Sequence, residues 1–212
     1  MIVAALGAGA LMAPAVAQEA TLDLSQVALV ATTKHHRPAD PLNVALVGTK
    51  DQIIALMRAA GWQPADPITW RTSAGIVRSV AFRRAYLTAP VSSLYYQGHK
   101  QDMAFEKQVG RSASKRHHVR FWKLRDEADG TSLWLGDATF DRSVGLSHHG
   151  AVTHHIDGNV DQERAFLMGE LAATQRVTVT TVKGQGERHA RNGGGDPYWT
   201  DGDVMLGVIK AP

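Results

Sequence analysis

The chain has no cysteine among its 212 residues. That excludes disulfides, thiolate zinc sites, iron–sulfur clusters and a cysteine nucleophile. Excess charge of one sign is also scarce. Lys and Arg number 23 against 20 Asp and Glu, a formal +3 with the basic residues scattered along the chain. Without a basic tail or stripe, a nucleic-acid partner is not expected. The templates H-E-x-x-H, G-x-S-x-G and G-x-x-x-x-G-K-[ST] are absent, which removes zincin, nucleophile-elbow and P-loop chemistry. Internal repeats and sustained heptads are absent too, and after residue 17 no apolar run reaches the length of a membrane-spanning helix. Hydrophobic residues still make up 44% and charged residues 20%, so a packed core is available and wholesale disorder is not expected. The length suits one ordinary domain. Histidine is unusually frequent for its type, with ten residues.

Residues 1–17 carry no charge and end in Pro14-Ala15-Val16-Ala17 before Gln18-Glu19. A short apolar run closed by A-x-A is what signal peptidase accepts, although the basic segment that usually precedes it is missing. The expectation is a signal peptide over 1–17 and a periplasmic or secreted mature chain, with a retained anchor as the alternative. Residues 18–40 read as a lead-in and 41–212 as the folded domain.

Within that domain, Asn43–Val47 is a continuous apolar run and reads as a buried strand. Thr49 and Gln52 have capping-box spacing, a helical pattern follows, and Gly61 closes it. Ser73 heads a second helix with Arg71, Arg78, Arg83 and Arg84 outward, ended by Pro90. Strands are expected over 93–97, 117–123, 132–141, 151–157, 177–182 and 203–210, with a polar hairpin turn at 126–130. Asn159 caps a helix from about 161 to 174. About three helices among six or seven strands, several consecutive, predict a single-domain α+β fold with a mostly antiparallel mixed sheet.

Alternation along strands selects a polar face. His118 and Arg120 share a side of one strand, Asp137 and Asp141 a side of the next, and His155 and Asp157 a side of the third. In an antiparallel meander these six converge, provided the register holds; one residue of slip undoes it. Two imidazoles with carboxylates suit a divalent metal with nitrogen and oxygen ligands, such as Zn, Mn or Mg. The metal set is then His118, His155 and Asp157. Asp137 and Asp141 are placed for acid–base work, and Arg120 for the anionic part of a substrate. A polar sheet surface is the plainer alternative. Asp157–Asp161 has an EF-hand-like rhythm but fails where Gly and a bidentate Glu are required, at Gln162 and Met168. Arg191-Asn192-Gly193-Gly194-Gly195-Asp196 is a second candidate, because glycine amides beside an Arg can close over an anion. Its ligand-binding residues are Arg191, Asn192, Gly194 and Asp196.

Several ordered motifs are familiar together: Arg116-His117-His118-Val119-Arg120-Phe121-Trp122, then Trp134-Leu135-Gly136-Asp137-Ala138-Thr139-Phe140-Asp141-Arg142, then Thr153-His154-His155-Ile156-Asp157. Phe105-Glu106-Lys107-Gln108 precedes them, while Asp161-Gln162-Glu163-Arg164, the Gly-Gly-Gly-Asp-Pro-Tyr run and Thr200-Asp201-Gly202 follow. The string resembles the LssY C-terminal domain family from about Pro41 to Lys210. The resemblance implies a bacterial, functionally uncharacterised domain that is often joined to membrane-embedded modules, some like lipid phosphatases. It points to the cell envelope and to a phosphate-bearing partner, by analogy.

Two function classes follow. One is a metal-assisted hydrolase acting on an anionic, phosphate-bearing envelope substrate. The other is a non-catalytic periplasmic module that holds an anionic small molecule, a lipid head group or a membrane-protein partner.

Overall fold

The computed structural model describes residues 22–65, 93–110, 115–146 and 152–211. In chain order the strands are β1 (Val30–Thr32), β2 (Pro38–Pro41), β3 (Val44–Gly48), β4 (Gln63–Pro64), β5 (Tyr95–Tyr96), β6 (His99–Lys100) and β7 (Met103–Gln108). They continue with β8 (Arg116–Asp126), β9 (Ser132–Leu146), β10 (Val152–Ile156), β11 (Val177–Val182), β12 (His189–Arg191), β13 (Pro197–Trp199) and β14 (Val204–Ile209). Helix α1 spans Lys50–Ala59 and α2 spans Val160–Ala173. The expected three helices become two among the described residues, and the helix placed after Ser73 lies outside them. The strand count exceeds six or seven because β1, β2, β4, β6, β12 and β13 have two to four residues each, too few to show a period, and because β7 adds a strand that the sequence reading does not include.

Eight strands form the main sheet, ordered β11-β14-β3-β9-β8-β7-β4 with β10 paired to the free length of β9. All its pairings are antiparallel except β14 with β3. A four-stranded sheet, β2-β1-β5-β6, and a ribbon of β12 and β13 complete the set.

The apolar run of β3 is explained by cover on both faces. Val44 and Leu46 pack with α1 and α2 through Ile53, Met57, Leu167 and Met168. Ala45 and Val47 pack the opposite way, with Leu29, Ala31, Ala39, Leu133 and Leu135. The stretch read as a lead-in therefore supplies two strands and several core side chains. Helix α1 starts at the capping box predicted for Thr49 and Gln52 and ends at Gly61 with φ +84°. Helix α2 is capped by Asn159, as the sequence indicates.

Asn43, 2% exposed, fixes β9 and the start of α2 to the entrance of β3. Its Nδ2 donates to the carbonyls of Ala138 and Val160 (3.0 and 3.2 Å), and its Oδ1 accepts from Ala138 N (2.8 Å). Breaking buried hydrogen bonds costs most when the partners stay buried. Asn43→Ala is expected to lower stability by about 3 kcal/mol in urea unfolding; a loss below ~1 kcal/mol contradicts this role.

Candidate functional site

The pairing of β8 with β9 sets Arg116 opposite Asp141, His118 opposite Thr139, and Arg120 opposite Asp137. Residues directly opposite share a face. The alternation read from the sequence is correct here, and His118, Arg120, Asp137 and Asp141 do meet on the face turned away from the helices. Glu106 joins them because β7 sets it opposite His118.

Each charge in this cluster is engaged by another. Arg120 donates from its backbone N to Asp137 Oδ1 and from Nη1 to Asp137 Oδ2, both at 3.0 Å, and Nη1 also reaches Asp40 Oδ2 at 3.2 Å. Arg116 donates from Nε to Asp141 Oδ2 (2.8 Å), from Nη1 to Glu106 Oε2 (3.0 Å) and from Nη2 to His154 Nδ1 (3.1 Å). His118 Nε2 bonds the Thr139 hydroxyl at 2.7 Å. Its Nδ1 lies 3.4 Å from Asp141 Oδ1, yet makes no hydrogen bond among the described residues. Asp137 is fully buried, and Asp141, Arg116, His118 and Arg120 are 1–4% exposed.

Four carboxyl groups (Asp40, Glu106, Asp137, Asp141) face two guanidiniums, so full ionisation of all four would leave two excess negative charges beside neutral imidazoles. Burial pushes the Asp137 carboxyl up to about 7; Arg120 opposes this and Asp40 adds to it. Burial likewise raises Glu106 against the pull of Arg116. Asp141 differs: burial works to raise it, but His118, Arg116 and His154 together hold it well below the usual carboxylate range. His154 is lowered by burial, which suits a neutral ring accepting from Arg116.

The third strand departs from expectation. Register shifts between His155, paired with Ser143, and Ile156, paired with Asp141. This bulge leaves Arg142 as the extra residue and turns His154 and Ile156, rather than His155, toward Asp141. His155 instead bonds Asp196 Oδ1 through Nδ1 at 2.7 Å, and Asp157 accepts from Asn159 N at 2.9 Å in the turn before α2. The expected ligand set His118, His155 and Asp157 is therefore not assembled. Among the described residues, no three His, Asp or Glu side chains are placed to hold a metal ion.

The glycine-rich loop folds back on itself. Asn192 Oδ1 accepts from Gly194 N and Asp196 N (3.0 and 2.8 Å), and Gly195 N donates to Asn192 O. Arg191 Nη1 donates to Gly195 O at 2.8 Å. Asp196 ties the loop to β10 through His155 and Ile156 N. Among the amides expected to cradle an anion, those of Asn192, Gly194, Gly195 and Asp196 are already taken.

Arg116, Glu106, His154 and Asp40 are the members that the sequence reading missed. Arg116 follows from the same alternation, two residues before His118, and Glu106 stands in the Phe105–Gln108 segment. Asp40 sits in the supposed lead-in, and His154 is exchanged for His155 by the bulge.

The two buried aspartates predict opposite pH responses. The depressed Asp141 stabilises the fold above its unfolded value near ~4, and that contribution is lost as pH falls through the folded value. The raised Asp137 keeps its proton in the fold to about 7 while the unfolded chain releases it near ~4. Stability therefore falls as pH rises across that window. Asp137→Asn is expected to flatten this slope, and Asp141→Asn to cost about 3 kcal/mol at neutral pH by removing the buried carboxylate that Arg116 Nε faces. Urea titrations across pH check both; an unchanged slope in Asp137→Asn contradicts the assignment.

No curated protein and no solved structure matches the chain. The family model described as LssY C-terminus matches residues 23–204. That span runs from before β1 to the first residue of β14 and takes in every member of the buried cluster, so the chain belongs to the LssY C-terminal family.

Proposed function

We propose that the chain is a non-catalytic module of the bacterial cell envelope that binds a phosphate-bearing anion through its outer surface. The supporting observation is how the interior charges are used. His118, Arg120, Asp137 and Asp141 are engaged with one another or with Arg116, Thr139 and Asp40 while almost fully buried. General acid–base or metal-assisted hydrolysis needs such groups within reach of substrate and water. The cluster instead reads as a structural network that fixes strand register, leaving recognition to exposed cations.

A metal-assisted hydrolase is the second reading. It is favoured by the unbonded His118 Nδ1 and by two aspartates pushed in opposite directions, a pattern that separates acid from base at working sites. Thermal unfolding separates the two. Inorganic pyrophosphate at ten times its Kd is expected to add about 1.4 kcal/mol, or about 4 °C in Tm, while Zn, Mn and Mg leave Tm unchanged. Stoichiometric metal together with phosphate-ester turnover lost in His118→Ala contradicts the proposal. So does an absence of response to every phosphate-bearing anion.

A further inference from the structure

The β12–β13 ribbon has two unlike faces. Register pairs His189 with Trp199 and Arg191 with Pro197, so these four share the outer side and all are exposed. Ala190 and Tyr198 share the inner side and pack on Ile156 and Val160. Trp199 is 47% exposed, the most exposed of the large hydrophobic side chains among the described residues. One edge of its ring rests on Gly158, where a Cβ would collide with it, so the indole is held in place.

A second cationic segment abuts this ribbon. The turn between β1 and β2 carries Lys34, His35, His36 and Arg37, all exposed. A side chain at Gly193 would meet Thr33 Cγ2 at 2.8 Å and Ala39 Cβ at 3.4 Å. The glycine-rich turn therefore presses its backbone directly on the hairpin that bears Lys34 and Arg37. Gly193 serves close approach, which joins Arg191 to the Lys34–Arg37 turn in one surface.

We infer that this joined surface docks on an anionic phospholipid bilayer. The inference rests on the anion-binding reading above and names its partner. A free phosphate calls for convergent donors, but the amides of Gly194, Gly195 and Asp196 are spent on Asn192 and the cations lie along two adjoining segments. Dispersed Lys and Arg charge beside a fixed, half-exposed Trp suits a bilayer surface. There each cation meets lipid phosphate and the indole sits at head-group level.

Co-sedimentation of the full chain with vesicles tests this, comparing phosphatidylglycerol mixed equally with phosphatidylcholine against phosphatidylcholine alone. The apolar residues 1–17 are common to every variant, so the readout is the preference for the anionic vesicles. Lys34→Ala and Arg191→Ala are each expected to weaken that partition about fivefold. Trp199→Ala is expected to weaken it several-fold, and Arg176→Ala, an equal charge loss elsewhere, to leave it unchanged. Circular dichroism confirms that each variant is folded. Equal partition to both vesicles, with pyrophosphate still bound in a manner sensitive to Arg191→Ala, overturns the bilayer inference and leaves the anion reading standing. Binding of neither probe overturns both. Anionic preference insensitive to Lys34, Arg191 and Trp199 overturns the assigned surface.

Discussion

Two guanidinium–carboxylate pairs laid across neighbouring strands, Arg116 with Asp141 and Arg120 with Asp137, are the constraint on which the rest of the interior depends. A buried ion pair recovers its desolvation cost only with good geometry and satisfied hydrogen bonds. That demand selects a single register between β8 and β9, because a slip by one residue would move every charge to the helix-packed face. It also draws in the surrounding pieces. Asp40 brings β2 onto the main sheet through Arg120, Glu106 brings β7 through Arg116, and His154 brings the bulged β10 to the same guanidinium.

The opposite face of the sheet follows a different logic. Val119, Phe121, Trp134 and Ala138 meet α1 and α2 in an apolar layer. His117, on that side, stacks on Phe166 with ring centroids 4.1 Å apart and pairs with Glu163 at 2.8 Å. Arg164, one residue further along α2, forks onto Asp201 (2.7 and 2.8 Å), and that carboxyl is held down at about 2 by the contact. Helix α2 is thus fixed at its N-terminal half by two polar side-chain pairs, in addition to its buried Leu167, Met168 and Leu171.

Much of this could be read from the residues, for stateable reasons. The two helices announced themselves through Thr49–Gln52 and Asn159 because capping is local chemistry. The polar faces of β8 and β9 followed from alternation, a strict geometric rule over strands this long. The bulge beside Asp141 could not be read, since an extra residue on one strand leaves no periodic trace, and it exchanged His155 for His154. Asp40 was hidden because a four-residue strand shows no period. The glycine-rich loop misled for another reason: amides that look available in a sequence were taken by Asn192, three residues or fewer from most of them.

Interior and surface consequently have separate tasks. The interior charges bind each other, and the β1–β2 turn and the ribbon carry exposed basic residues on the outside. The claim that the buried charges form a structural network is tested most directly by a double-mutant cycle on Arg120 and Asp137, using Arg120→Met and Asp137→Leu. The account predicts that each single change costs several kcal/mol and the double change much less, with a coupling of about 2 kcal/mol or more. Two small, additive losses would contradict it.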